Sequence, residues 1–548
     1  MVQNAFIKAA TMDAGANGAR TENGAISYAT IGTALLDQFS KAGSYRGREL
    51  VNVWADQSKL WAEDSESALK FPFYLRMITR KTNIIGKGTT DSVQRGSGAR
   101  DEAFKRLLWI AKYHPVEFYR NLWLLPVVGS WKDLWVLLAF DGADEYLDKE
   151  KFFNVIAEGI SDERHKDLVK KYLPRIRSTK KCHTDWAKRT NVLAKEFASY
   201  AGWTYNEYRQ FKVTGKAHEF QRLICGKMYS KINWNTIPGK ALLNLVSGKF
   251  LDNHRLTKDY IKWIDSQPVA KFNGYAYELG KKLGGCGNGR NLTGASLATK
   301  ITVDKQFDGL IATASENDGA IHGNVLCALD TSDSMNERVD KAGTTAYDVC
   351  VGLGIYFSEL NKGAFHNVVA MFDFESKVKT LKGSFSDKWL DIRSSKTAWG
   401  STNFQSLIDL IVEVRRKHPE IPLDEMPSTL LIVSDMQFNP SSNFYFEADS
   451  IAERTNYEDA MEKLREVFPE EFVKNFKIIW WNVANERTKD FPSTMDDAGT
   501  YFFSGFDGAT ISFLLGGENI AVGGEKSQPS AEDVVRAALG QDVLQLIA

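Results

Sequence analysis

The chain has 548 residues, 43% of them hydrophobic and 25% charged, with 69 Lys+Arg balancing 69 Asp+Glu. That is the composition of a globular protein with room for more than one core, and it argues against a disordered or fibrous chain. No apolar run approaches the roughly 18 residues that cross a bilayer, so no membrane role is expected. The start, "MVQNAFIKAATMDAGANGARTENGA", has no basic segment leading into an apolar one, and secretion is not expected. Five scattered cysteines without a C-x-x-C pair point to reduced thiols in a cytoplasmic setting. The eight histidines form no H-x-x-x-H pair, which removes a zincin-type site.

The zero net charge conceals an asymmetry. Residues 1–300 hold 47 Lys+Arg against 30 Asp+Glu, and residues 301–548 hold 22 against 39. Within the first part, residues 151–300 carry 28 against 12. Such a basic stretch suits nucleic acid, or docking on the acidic half or on another acidic protein.

From residue 30 to 280 apolar residues recur at three- and four-residue spacing, as in "LVNVWADQSKLWAED", "DEAFKRLLWIAKYHP" and "TNVLAKEFASYAGW". Paired helices with short connectors predict an all-α, HEAT-like repeat array over residues 1–300, although no fixed period is visible. The Gly-rich "LGGCGNGRNLTG" (283–294) follows no strand and reads as a loop rather than a phosphate cradle. Residues 301–323 are expected to be a linker. From residue 324 to 518 the grammar alternates. Short apolar runs "NVLCALD", "NVVAMFDF", "STLLIVSD", "FKIIWWNVA" and "TYFFSG" are separated by helical stretches, predicting a doubly wound α/β domain. Residues 519–548 read as a connector and a helix, with Ser530 and Asp533 as a capping pair.

The first of these runs ends in "DTSDSM". Alternate residues leaving a strand, Asp330, Ser332 and Ser334, can turn one carboxylate and two hydroxyls to a common point at the carboxyl end of a sheet. "WGSTNFQ" adds Thr402 and "LLIVSDMQF" adds Asp435. Hard oxygen ligands of low total charge suit Mg2+ or another divalent cation. The D-x-D of a phosphotransfer aspartate and the G-x-S-x-G of a hydrolase elbow are both missing here. His322 and His366 have no triad spacing, so ligation rather than catalysis is expected.

D-x-S-x-S followed by Thr402 and Asp435 resembles the metal-ion-dependent adhesion site of von Willebrand factor A domains. A helical array followed by such a domain resembles the TROVE proteins, the Ro autoantigen family. It is still more similar to an uncharacterised TROVE-related family of phages, bacteria, plants and fungi. "TENGAISYATIGTALLDQF", "ALKFPFYLRMITRKTNIIGKG", "LPVVGSWKDLWVLL" and "SGFDG" carry that likeness over most of the chain. The resemblance implies helical repeats closed into a ring, binding of small noncoding or single-stranded RNA in a ribonucleoprotein, and an adhesion-site metal completed by a partner's carboxylate. The family's RNA-contacting residues do not map onto this chain one by one.

The densest basic run holds Arg175, Arg177, Lys180, Lys181, His183, Lys188 and Arg189, with Trp186 able to stack on a base. The same run also fits a solvated helix face. Arg80, Lys81 and Lys87 form a second candidate in the turn after "LRMIT". RNA binding is thus one expected function. A metal-dependent protein-interaction or assembly scaffold, of a phage or its host and without nucleic acid, is the alternative; an enzyme is not expected.

Overall fold

The structure is a computed structural model describing residues 18–82, 92–214, 219–284, 295–316, 319–395, 401–441, 454–484, 490–515 and 529–548. It divides into two compact units. One comprises residues 50–94, 100–238 and 540–548, and the other residues 1–49, 95–99 and 239–539.

Among the described residues the first unit's regular elements are helices and one antiparallel ribbon of Arg80–Thr82 and Ser92–Gln94. Helices Leu50–Glu63, Ser65–Arg76 and Arg100–Tyr113 enclose Arg106, which is fully buried. Its guanidinium reaches Glu102 one turn away at 3.0 Å and Gln57 Oε1 at 3.2 Å, and Gln57 Nε2 donates to Ala68 O. A charge that deep is tolerated because it is paired and hydrogen-bonded.

The segment "GSWKD" shows how one helix is started. Asp133 Oδ2 accepts from Ser130 N at 2.7 Å, closing a capping box for helix Trp131–Leu138. The same oxygen accepts from Arg76 Nε at 2.8 Å. A Cβ on Gly129 would lie 2.2 Å from that carboxylate and 2.8 Å from the guanidinium, so only glycine fits. Farther along, edge-to-face contacts join Trp135 to Phe197, Phe153 to Phe197 and Phe197 to Trp203. These rings lock helices Lys149–Ser161 and Asp185–Tyr200 to the helix that Asp133 caps.

The second unit is α/β, built on a mixed six-stranded sheet. Two ribbon strands near its start are β1 (Gly18–Arg20) and β2 (Ile26–Tyr28); counting the other unit's ribbon as β3 and β4, the sheet strands follow as β5 to β10. They are β5 (Val325–Asp330), β6 (Val368–Phe372), β7 (Ser376–Thr380), β8 (Thr429–Ser434), β9 (Lys477–Asn482) and β10 (Thr500–Ser504). The order is β10-β9-β8-β5-β6-β7, parallel except for β7, which pairs antiparallel with β6. Every residue of β5 and β8 is buried, as a sheet with helices on both faces requires. The nearly all-buried helix Ala346–Leu360 packs on β5.

Residues near the N-terminus join this unit rather than the helices that follow them. Tyr28 and Phe491 exchange backbone hydrogen bonds of 2.8 Å each, and Ser504 Oγ on β10 donates to Phe39 O of helix Ala34–Ala42. The compact units therefore cut across a division at residue 300. Residues 297–315, most of them inside the expected linker, form one helix of 19 residues. It buries Val303 and Phe307, the latter stacked on Phe385 at 4.3 Å between centroids. At the end of the α/β unit, Ser530 N donates to Asp533 Oδ2 and Asp533 N to Ser530 Oγ, capping helix Ala531–Leu539.

Candidate metal centre and basic surface

The sheet order places a reversal between β5 and β8: the chain leaves β5 for β6 on one side and returns to β8 on the other. In an open parallel sheet the crevice for a ligand opens at the carboxyl ends of such a pair. Asp330 ends β5, and Asp435 directly follows β8.

Local chemistry holds both carboxylates in place. Asp330 Oδ1 accepts from Ser332 N at 2.9 Å, the self-turn that Asp makes readily, and Oδ2 accepts from Ser434 Oγ at 2.6 Å. Fully buried Met335 pins the turn that follows. Asp435 Oδ1 accepts from Gln437 N at 3.2 Å, and Met436 adopts φ +65°. A non-glycine residue held there marks a backbone fixed by its surroundings at a candidate site.

The hydroxyls converge on the same place. Ser332 Oγ and Ser334 Oγ are 3.1 Å apart, and the Ser334 side chain hydrogen-bonds Asp435. Thr402 precedes helix Phe404–Lys417; its carbonyl accepts from Asn439 N in the loop beyond Asp435. Asp330, Ser332, Thr402 and Asp435 are all buried. Burial, and then the charge of Asp330, push the Asp435 carboxyl up to about 7.

The residues present fit a divalent cation. Thr402 Oγ1 and Ser401 Oγ are buried and have no hydrogen-bond partner among the described residues, although buried hydroxyls are ordinarily satisfied. Two carboxylates and three hydroxyls are hard oxygen donors that suit Mg2+ with water completing the shell. Among the described residues no three His, Cys, Asp or Glu side chains form a metal-holding group, so such a site depends on its hydroxyls. Ser434 was not among the expected residues. Its signal is slight, a lone hydroxyl ending an apolar strand, yet it orients Asp330.

The basic candidates separate into several situations. Lys188 pairs with Asp185 at 3.0 Å and Arg189 with Asp141 at 2.5 Å, both at the surface. Arg80 Nη2 donates to Val127 O at 2.6 Å and Gly129 O at 2.8 Å, so its guanidinium ties the ribbon to the neighbouring segment. Lys81 sits on β3 opposite Val93, and Lys87 lies outside the described residues. Arg175, Arg177, Lys180 and Lys181 are exposed and make no ion pair among the described residues. Trp186 is 41% exposed on helix Asp185–Tyr200. Arg175 also meets Arg209, Lys212 and Arg222, which the sequence did not single out, around a cavity of about 330 Å³.

The helical unit thus bears exposed cations that make no ion pair among the described residues, and the α/β unit gathers oxygen-bearing side chains at its switch point. Residues 324–542, which take in the whole six-stranded sheet, match the family model of a domain of unknown function (DUF7788). Residues 21–225 match a second domain of unknown function (DUF2828). Over 545 aligned residues the chain is 22% identical to "Uncharacterized protein L728" of Acanthamoeba polyphaga mimivirus, covering 92% of this chain and 85% of that protein. The likeness runs through both units. Among the described residues no helix is long and apolar enough to cross a membrane, and Cys182, Cys225, Cys327 and Cys350 are free thiols.

Proposed function

We propose that this is an RNA-binding protein of the Ro type, whose basic helices hold small noncoding or single-stranded RNA. In this reading its α/β unit is a von Willebrand A-type domain. The observation that carries the RNA reading is the group of exposed cations, Arg175, Arg177, Lys180, Lys181 and Arg209, that make no ion pair among the described residues. Cations engaged with carboxylates have little to offer a phosphate, whereas unpaired ones can displace its counterions. The experiment is recovery of what co-purifies with the full chain. RNA that is released by salt supports the reading, and a nucleic-acid-free preparation that binds no added RNA overturns it.

In the α/β unit, Asp330, Ser332, Ser334, Thr402 and Asp435 would hold Mg2+ or a similar cation. When bound, such an ion offers a Lewis-acidic position to an incoming carboxylate. The protein's own groups set the geometry: Ser434 orients Asp330, Gln437 N orients Asp435, and the buried strand ends exclude most water. No acid–base or nucleophilic step is assigned to these residues.

A second reading, a metal-dependent protein-interaction or assembly scaffold without nucleic acid, draws on one further observation. Phe374 is 59% exposed two residues beyond β6, and its carbonyl accepts from Asn403 Nδ2 next to Thr402. An exposed ring beside a group of oxygen-bearing side chains suits a partner presenting an acidic and an apolar residue together. Protein partners lost in chelator and in Asp330→Ala support it; partners retained equally in both contradict it.

A further inference from the structure

The cavity beside the basic run is built from three pieces of one unit: the loop after helix Lys166–Tyr172, helix Tyr205–Val213 and helix Glu219–Cys225. Arg175, Arg209, Lys212 and Arg222 line it together with Tyr205 and Tyr208, and none of its lining residues is acidic. Lys212 is the buried member. Its Nζ lies 3.3 Å from the carbonyl oxygens of Lys170 and Lys171, where the negative end of the Lys166–Tyr172 helix faces it. Burial, and then the charge of Arg175, lower its ammonium to about 8. Tyr208 is buried and donates to Pro174 O at 2.7 Å, fixing the loop that carries Arg175. Arg222 Nη1 donates to Val213 O at 3.1 Å and so faces the same helix. Tyr205 is 50% exposed at the rim.

The like charges of Arg175, Arg209 and Lys212 around one cavity repel each other, and buried Lys212 is desolvated as well. An anion offsets both costs. The volume of about 330 Å³ is at the small end of ligand pockets, enough for one nucleotide but not for a folded segment. Arginine forks and a lysine are the side chains that grip phosphate, and a tyrosine face stacks on any base. Three cations match the double charge of a terminal phosphate monoester better than the single charge of an internal diester.

We propose that this cavity binds the terminal phosphorylated nucleotide of a single-stranded RNA, with the phosphate among Arg175, Arg209 and Lys212 and the base on Tyr205. The proposal rests on the RNA-binding reading above and goes beyond it by assigning the RNA end. Arg209 is exposed, so Arg209→Gln removes a cation without touching the core. Lys212→Met removes the buried one.

The test measures binding of one short RNA sequence to the full chain in three forms: 5′-phosphorylated, 3′-phosphorylated and with hydroxyls at both ends. Adenosine monophosphate alone is a fourth probe. A phosphorylated form should bind about tenfold or more tighter than the hydroxyl form, the worth of one charge-assisted hydrogen bond. Arg209→Gln and Lys212→Met should each erase that difference between the phosphorylated and hydroxyl forms. Equal affinity for all three forms overturns the end site and leaves the RNA reading standing. Failure of every RNA overturns both, and binding of the free mononucleotide alone reassigns the cavity to a soluble ligand. Should Lys212→Met fail to fold, Arg209→Gln decides by itself.

Discussion

Asp330 and Asp435 sit on neighbouring strand ends, both out of water, and after burial the charge of Asp330 is what raises the Asp435 carboxyl most. Asp435→Asn should therefore raise the metal-free melting temperature by on the order of a few degrees. It should also abolish the stabilisation by Mg2+, about 2.7 kcal/mol when the ion is at a hundredfold its Kd. Thermal melts with and without the ion read both effects; a variant that still gains stability from Mg2+ contradicts the ligand set. Lys212 gives a second test. Its folded-state pKa of about 8 lies below the ordinary 10.5, so above pH 8 the unfolded chain binds more protons than the folded one. From this residue stability should rise between about pH 8 and 10.5, and fully develop its cost below pH 8. Lys212→Met should remove that rise, as urea midpoints across the range will show. Arg175 is the charged group that most lowers it, Arg209 and Arg222 line the same cavity, and the Lys170 and Lys171 carbonyls accept from its ammonium.

At the scale of elements, the capping carboxylate of helix Trp131–Leu138 also pairs with Arg76 across the helical unit. Asp133→Ala removes the cap and leaves a buried guanidinium without its partner, so a loss of about 3–5 kcal/mol is expected. Chemical denaturation measures it, and a loss under about 1 kcal/mol, the usual size of a surface pair, contradicts the assignment. Strands β5, β8 and β9 were legible in the sequence because each is a short apolar run buried on both faces. β7 was not: "SKVKT" is an exposed edge whose lysines guard against further pairing and hide the strand pattern. Asp330 and Asp435 of the candidate site stood out for the same reason as their strands, since a polar side chain directly after a buried run is conspicuous. Thr402 was singled out by its loop position, and Ser434, buried in the run itself, was passed over.

At the scale of the whole chain, the helical-then-α/β order was readable from the change in hydrophobic period near residue 320. The membership of each unit was not. Residues 18–49 join the sheet through contacts such as Tyr28 with Phe491 and Phe39 with Ser504, more than 450 positions apart in both cases. Such pairings leave no local pattern. The cavity was equally hidden, because Arg175, Arg209, Lys212 and Arg222 come together only when two helices and a loop pack. The basic excess was legible as composition, but composition does not distinguish Arg189, held by Asp141, from Lys180 and Lys181, which have no such partner among the described residues.

The central claim is that unpaired cations of the helical unit bind RNA phosphates. The measurement that bears on it most directly is the affinity for a single-stranded RNA across a range of salt concentrations. It compares the native chain with one carrying Arg177→Gln, Lys180→Gln and Lys181→Gln. Each phosphate contact contributes a log–log slope of about −0.7 on a single strand, so losing three cations should flatten the slope by about 2. An RNA affinity that does not change with salt, or a slope that the triple variant leaves as steep as before, contradicts the account.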